Sequence, residues 1–344
     1  MKLNSYQESG DIKMSKEKLL ICGPWIGEFA YELIAWAPKL RYYINNHYKG
    51  YKVLVVSYPG RSILYRDFAD EFIGYSNDIV DNMIPCNSGG VGHGNQHTLE
   101  YSPTEEFVQD IIDKNRDKYE EIFLLRPKDL RCVSKGQVAP DLDDVEFAYI
   151  KPDIQTDGEV NKILNQFESS NTVCIMANTQ HEVHKYRENW KVESWVYFID
   201  KLISELNLNV VMMGIKSSDK LQGSYTFEDT ELYTKYPNRI KSYVVDTKLP
   251  NSLDIQISLM SNTKCNIWGA SGAQQLAYFV DKPMFAQLAT GFFERATKKE
   301  YNDITHNFKY IKFFCKYPKG IEFYNSPAEE LYLEFKEFYN KLDN

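Results

Sequence analysis

The sequence predicts an α/β protein of two parallel-sheet domains facing each other across a cleft, with a C-terminal helix crossing back to the first domain. Three observations predict it. Short apolar runs alternate with segments of helical period, strand then helix then strand. The alternation stops in a polar stretch between Ile150 and Gly158, which carries Pro152 and Gly158, and then restarts. The chain has 344 residues, enough for two domains that each bury a core.

Residues 1–17 read as a flexible leader. Lys18-Leu19-Leu20-Ile21-Cys22 is a short buried strand, stopped by Gly23-Pro24. Phe29 to Ile44 is helical in period, and Pro38 is expected to kink it. Tyr51 to Ser57 forms a second strand, closed by Pro59-Gly60. A helix beginning near Pro103, capped by Ser102, leads to a strand at Glu121–Leu125. These elements define a first Rossmann-like domain over residues 18–150.

Beyond the expected linker, Asn171–Met176 is a strand and Glu193–Leu206 a helix. Trp195, Phe198, Ile199, Leu202, Ile203 and Leu206 fall on one face of that helix. Strands at Asn209–Met213, Ile240–Val245, Cys265–Trp268 and Pro283–Ala286 follow, with helices at Ser252–Met260 and Ala273–Val280. They define a second Rossmann-like domain over residues 158–325. The chain closes with a helix over 326–344. Ser326 as N-cap, Pro327 at the first helical position and Glu329 at the third form a capping box, and Leu331, Phe335, Phe338 and Leu342 line one face.

Net charge is −8 and the pI near 5.4, with no basic run. Binding a long nucleic acid needs phosphate neutralisation over an extended face, so such a partner is not expected; a local basic cleft for one nucleotide is compatible. Six dispersed cysteines in a chain of this size point to reduced thiols, with Cys22, Cys174 and Cys265 in or beside strand-like runs. The polar N-terminus lacks the apolar core of a signal peptide, and no apolar run approaches the roughly 20 residues of a membrane span. The expected location is cytoplasmic, at most peripheral to a membrane. Tyrosine contributes 25 residues, which suits either sugar-facing rings or a Tyr-rich core.

Three segments carry candidate chemistry. The first, Gly23 to Glu32, leaves the carboxyl end of a strand, where ligands bind in open α/β sheets. Gly27 lets the backbone approach a ligand, and Trp25 and Arg61 (in the turn after the second strand) are candidate acceptor contacts. Glu28 and Glu32, four apart, are candidates for a general base that takes a proton from an acceptor hydroxyl. The second, Asn178 to Trp190, is a long loop bearing Thr179, Lys185 and Arg187; the two cations suit a diphosphate. The third, Trp268 to Ala277, joins a strand to a helix. Gly269, Ser271 and Gly272 would seat phosphates on free amides, with Gln274 and Gln275 nearby.

No metal is expected. Cys86, His93 and His97, and separately His181 and His184, fall short of a four-ligand zinc pattern, and Asp141-Leu142-Asp143 reads as a solvated loop. No cofactor is expected beyond a nucleotide-sugar co-substrate.

With these residues the chain resembles the GT-B glycosyltransferases, and within them the ADP-heptose:lipopolysaccharide heptosyltransferase-like group. Gly27-Glu28 is similar to the family's Gly-acid pair, and Pro38-Lys39-Leu40-Arg41 to its Pro-x-Leu-Arg. Counting back from Pro38 puts Glu32 in register with the family's acid, while loop position favours Glu28. Ala270 and Gln275 stand where the family's Asp-Thr-Gly-x-x-His turn has Asp and His, so the donor stays open. The resemblance implies an acceptor-binding first half, a donor-binding second half and a last helix packed on the first. It implies metal-independent sugar transfer with inversion to a glycan, lipid-linked or other hydroxyl acceptor. A nucleotide-sugar epimerase or hydrolase, or a non-catalytic nucleotide-sugar binder, would share the layout.

Overall fold

A computed structural model of the protein describes residues 17–27, 29–80, 102–132, 143–167, 171–178, 190–214, 224–244, 251–269, 275–287, 311–314 and 327–342. Residues 1–16 of the expected leader lie outside them.

In the first lobe β1 (Lys18–Cys22), β2 (Tyr51–Ser57), β3 (Glu71–Gly74) and β4 (Glu121–Leu125) pair in the order β3-β2-β1-β4, all parallel. Lys18 stands opposite Tyr51 on one side and Glu121 on the other. β1 is therefore central, and Leu19 to Cys22 are buried on both faces. That burial is why its sequence is a continuous apolar run rather than an alternation.

The chain leaves β1 and enters a helical stretch: α1 (Phe29–Tyr31), a π turn (Glu32–Trp36) and α2 (Ala37–His47). The irregularity expected at Pro38 falls one turn earlier. Ala37 N–H reaches back to the carbonyl of Glu32, five residues away. A proline has no amide hydrogen and crowds the carbonyl four residues back, and the wider turn ahead of Pro38 accommodates both. Farther on, α3 (Ser102–Asn115) precedes β4.

In the second lobe lie α4 (Ile154–Leu164), β5 (Thr172–Asn178), α5 (Val192–Ser204), β6 (Asn209–Gly214), β7 (Ser224–Tyr225), α6 (Glu231–Lys235), β8 (Ile240–Val244), α7 (Ser252–Ser261), β9 (Cys265–Trp268), α8 (Gln275–Tyr278), β10 (Met284–Gln287) and β11 (Ile311–Phe314). Parallel strands run β11-β10-β9-β5-β6-β8, and β7 pairs antiparallel with the end of β5. The expected apolar face of α5 is buried from Trp195 through Ile203. Cys22, Cys132, Cys174 and Cys265 are buried and free of disulfides.

The linker expected over 150–158 ends early, because α4 starts at Ile154. The carboxylate of Asp153 accepts from the amide of Gln155 at 2.9 Å and starts the helix. Asp157, expected in the linker, accepts from Ser258 Oγ at 2.9 Å and from Asn262, which docks α4 on α7.

The last helix, α9 (Ala328–Asn340), begins one residue later than expected. Pro327 is its N-cap residue with no side-chain cap, and Ser326 lies outside the described residues. Nor does its apolar face return to the first lobe. Leu331, Tyr332, Phe335, Phe338 and Tyr339 all join the second lobe's apolar cluster. The Phe335 ring lies 5.7 Å from Phe198 and 5.2 Å from Phe285, and Tyr332 donates to Glu205 at 2.7 Å. Aromatic rings on α5 and β10 offer that face its matching surface.

The lobes meet along a shared apolar cluster that includes Leu20, Trp36, Leu276 and Phe279. An extended strap joins them. Ile150 N–H donates to the carbonyl of Phe279 at 2.7 Å, and Glu146 N–H to that of Pro38 at 3.0 Å. Arg41 donates to the Glu146 carbonyl at 2.7 Å. The Pro38-Lys39-Leu40-Arg41 stretch thus fastens the strap to the first lobe.

Candidate interlobe site

The loop after β1 is a rigid arch. Gly23 N–H donates to the Leu125 carbonyl at 2.9 Å, and Trp25 N–H to that of Val56 at 3.2 Å. The Gly23-Pro24 peptide is cis, and Gly23 has φ of 132°. A Cβ there would sit 2.5 Å from the Val56 carbonyl oxygen, so only glycine fits. Tyr75 and Tyr58 donate to the carbonyls of Trp25 and Ile26 at 3.0 and 3.2 Å. The Trp25 ring stacks on Trp36 with centroids 5.9 Å apart. A Cβ on Gly27 would approach the Trp25 ring to 2.7 Å, so Gly27 serves the close passage of the arch over that ring. Trp25, expected to meet an acceptor, is wholly buried and holds up the arch from beneath.

Glu32 opens the π turn and points into the first lobe, where its side chain has 0% exposure. Ser57 Oγ donates to its Oε1 at 2.5 Å, Tyr65 OH donates to the same oxygen, and Arg61 binds Oε2. Burial first, and the Glu32 charge second, push the Tyr65 hydroxyl well above its usual pKa, so it stays protonated and donates. Arg61 lies between two rings, 4.2 Å from the centroid of Tyr58 and 4.9 Å from that of Phe29, and keeps 19% exposure. Both oxygens of Glu32 are engaged. In this arrangement it holds Arg61 rather than waiting for an external hydroxyl, and Arg61 is a clamped cation at the carboxyl ends of β1 and β2.

Sequence reasoning reached Glu32 and Arg61 but missed Ser57 and Tyr65. Ser57 ends β2, where the strand-end rule would have found it. Tyr65 follows Arg61 by four residues across a 3₁₀ turn, Ser62–Leu64, whose helical spacing was the available signal.

In the second lobe Gly269 follows β9, and its amide, expected to be free for a phosphate, instead donates to the Met176 carbonyl of the neighbouring strand at 2.8 Å. Gln275 opens α8, which packs against the Glu32–Trp36 turn of the first lobe. Glu28, Thr179, Lys185, Arg187, Ser271, Gly272 and Gln274 lie outside the described residues, as do Cys86, His93, His97, His181, His184 and Asp141. Among the described residues no group of three or more His, Cys, Asp or Glu side chains is placed to hold a metal ion. Among them, too, no helix is long and apolar enough to cross a membrane.

Two parallel-sheet lobes joined by a strap, with α8 of the second packed against the Glu32–Trp36 turn of the first, make the fold that of the GT-B glycosyltransferases. Among solved structures the chain is similar to ADP-heptose LPS heptosyltransferase II of E. coli, at 12% identity and a TM-score of 0.53, over 95% of this chain and 100% of that one. It is similar also to a glycosyltransferase family 9 protein of Veillonella parvula, at 11% identity and a TM-score of 0.53, over 96% of this chain and 99% of that one. No protein-family model and no curated protein sequence matches the chain.

Proposed function

We propose that the chain is a glycosyltransferase that moves a sugar from a nucleotide-sugar donor to an acceptor hydroxyl. One observation carries the reading: the Glu32–Trp36 turn, whose Glu32 grips Arg61, packs against α8, the helix that follows residues 269–274 of the other lobe. The Glu32–Trp36 turn of the first lobe and α8 of the second thereby share one boundary. The fold shared with sugar-transferring proteins supports it.

In this reading Glu28 is the general base. The full engagement of Glu32 with Ser57, Tyr65 and Arg61 argues for giving that role to its neighbour in sequence. Glu28 takes the proton of the acceptor hydroxyl, whose oxygen attacks the anomeric carbon while the bond to the diphosphate breaks on the opposite face, with inversion. Arg187, Lys185 and the amides of Ser271 and Gly272 stabilise the departing diphosphate, and Thr179, Gln274 and Gln275 orient the donor. The step needs no metal. An acceptor carried on a lipid would bring the protein to a membrane surface without a spanning helix.

Steady-state transfer by Glu28→Gln and Glu32→Gln tests the assignment. Loss of a general base lowers kcat by about 10²–10⁴. That loss is expected for Glu28→Gln, whereas Glu32→Gln keeps measurable turnover and loses thermal stability. Undiminished transfer by Glu28→Gln overturns the assignment.

A further inference from the structure

The segment from Arg61 to Phe68 lies between β2 and β3, and its consecutive residues bind three different parts of the molecule. Tyr65 donates to Glu32. Arg66 reaches the other lobe, with Nη2 2.7 Å from Asp254 Oδ1 and Nη1 3.7 Å from Asp153. Asp67 takes Arg41 in a two-pronged pair at 2.6 and 3.1 Å, and Arg41 in turn holds the strap.

Asp254 stands in the first turn of α7, and α7 leads into β9, the strand that ends at Trp268 just before Gly269. The Asp254 side chain is 5% exposed against 44% for Arg66. This is no loose surface pair, because removing Arg66 leaves a buried carboxylate without its counter-charge. Adjacent Cα atoms are held about 3.8 Å apart, so a displacement of Arg66 is passed to Tyr65.

We propose that Arg66 is a positioning residue that couples the seating of the second lobe to the geometry of the Arg61–Glu32 pocket. Its ion pair with Asp254 sets where the 61–68 segment lies, and that segment sets the angle at which Arg61 and Tyr65 grip Glu32. The coupling itself is geometric; its effect on turnover rests on the glycosyltransferase reading.

Hydrogen exchange of the full chain, followed peptide by peptide, tests it on Arg66→Ala, Arg66→Lys and the swap Arg66→Asp/Asp254→Arg. The inference predicts faster exchange in Arg66→Ala over both 29–36 and 252–261, a smaller rise in Arg66→Lys, and protection regained in the swap. Exchange changes confined to 61–68, or a swap no better than Arg66→Ala, overturn it. Transfer kinetics give a second readout: a coupling of this kind lowers kcat by about tenfold in Arg66→Ala, with recovery in the swap. If the exchange pattern appears while no nucleotide sugar binds, the glycosyltransferase reading fails and the coupling stands.

Discussion

Glu32 and Arg61 form an ion pair with one sealed partner and one partly open: the carboxylate has no exposure, while the guanidinium keeps 19%. Arg61→Met would leave Glu32 buried with only the hydroxyls of Ser57 and Tyr65 as donors. Stranding one member of a buried pair costs about 3–5 kcal/mol. Urea unfolding should show that loss for Arg61→Met, and a smaller loss for the double variant Glu32→Met/Arg61→Met, which strands no charge. A double variant less stable than Arg61→Met would show that the pair does not behave as described.

The arch over Trp25 makes a second prediction. Gly23→Ala places a Cβ 2.5 Å from the Val56 carbonyl at a φ of 132°, and Gly27→Ala places one 2.7 Å from the Trp25 ring. Neither neighbour has an easy retreat, since one is backbone in β2 and the other is a buried ring stacked on Trp36. Overpacking of this kind costs about 1–3 kcal/mol, with Gly23→Ala the worse because its backbone is strained as well. Thermal unfolding checks the order, and tryptophan fluorescence should change in Gly27→Ala. Two neutral substitutions would contradict the described arch.

Much of this framework was legible in the sequence, for physical reasons. β1, β2, β5, β6 and β9 are apolar runs because they are largely buried, and breakers bound several of them. β3 and β11 escaped notice as four-residue edge strands, too short to show a period. Pro38 signalled an irregular helix, but not that a π turn would precede it. The last helix showed its apolar face clearly; which lobe that face covers depends on Phe198 and Phe285, far away in the chain. The site was legible as loops at strand ends, whereas the grip of Ser57 and Tyr65 on Glu32 is tertiary and left no local mark.

Stability should fall on the alkaline side. Burial pushes the thiols of Cys22 and Cys174 far up and that of Cys265 up to about 12. A raised folded pKa means the contribution to stability is whole below the unfolded thiol pKa, near 8.5, and is lost as pH rises toward and through the folded one. Each thiol then contributes a slope of about 1.4 kcal/mol per pH unit across that window. Urea midpoints should drop steadily from about pH 9 to 11, and less steeply in Cys265→Ala. A midpoint flat across that range would contradict the burial of these thiols.

Because α9 covers the second lobe, damage to it should be felt there. Phe335 is fully buried against Phe198 and Phe285. Phe335→Ala is expected to cost about 3–5 kcal/mol, with hydrogen exchange rising first in α5 and β10. Exchange rising instead in β1 and β2 would mean that the helix serves the first lobe.

The central claim is that a nucleotide sugar binds where the lobes meet. Thermal unfolding of the full chain with a panel of nucleotide diphosphates and their sugars measures it most directly, since a ligand held at 100 times its Kd stabilises by about 2.7 kcal/mol. The account predicts a rise in Tm with one base, larger for the sugar nucleotide than for the diphosphate alone. No rise with any member of the panel at millimolar concentration would contradict it.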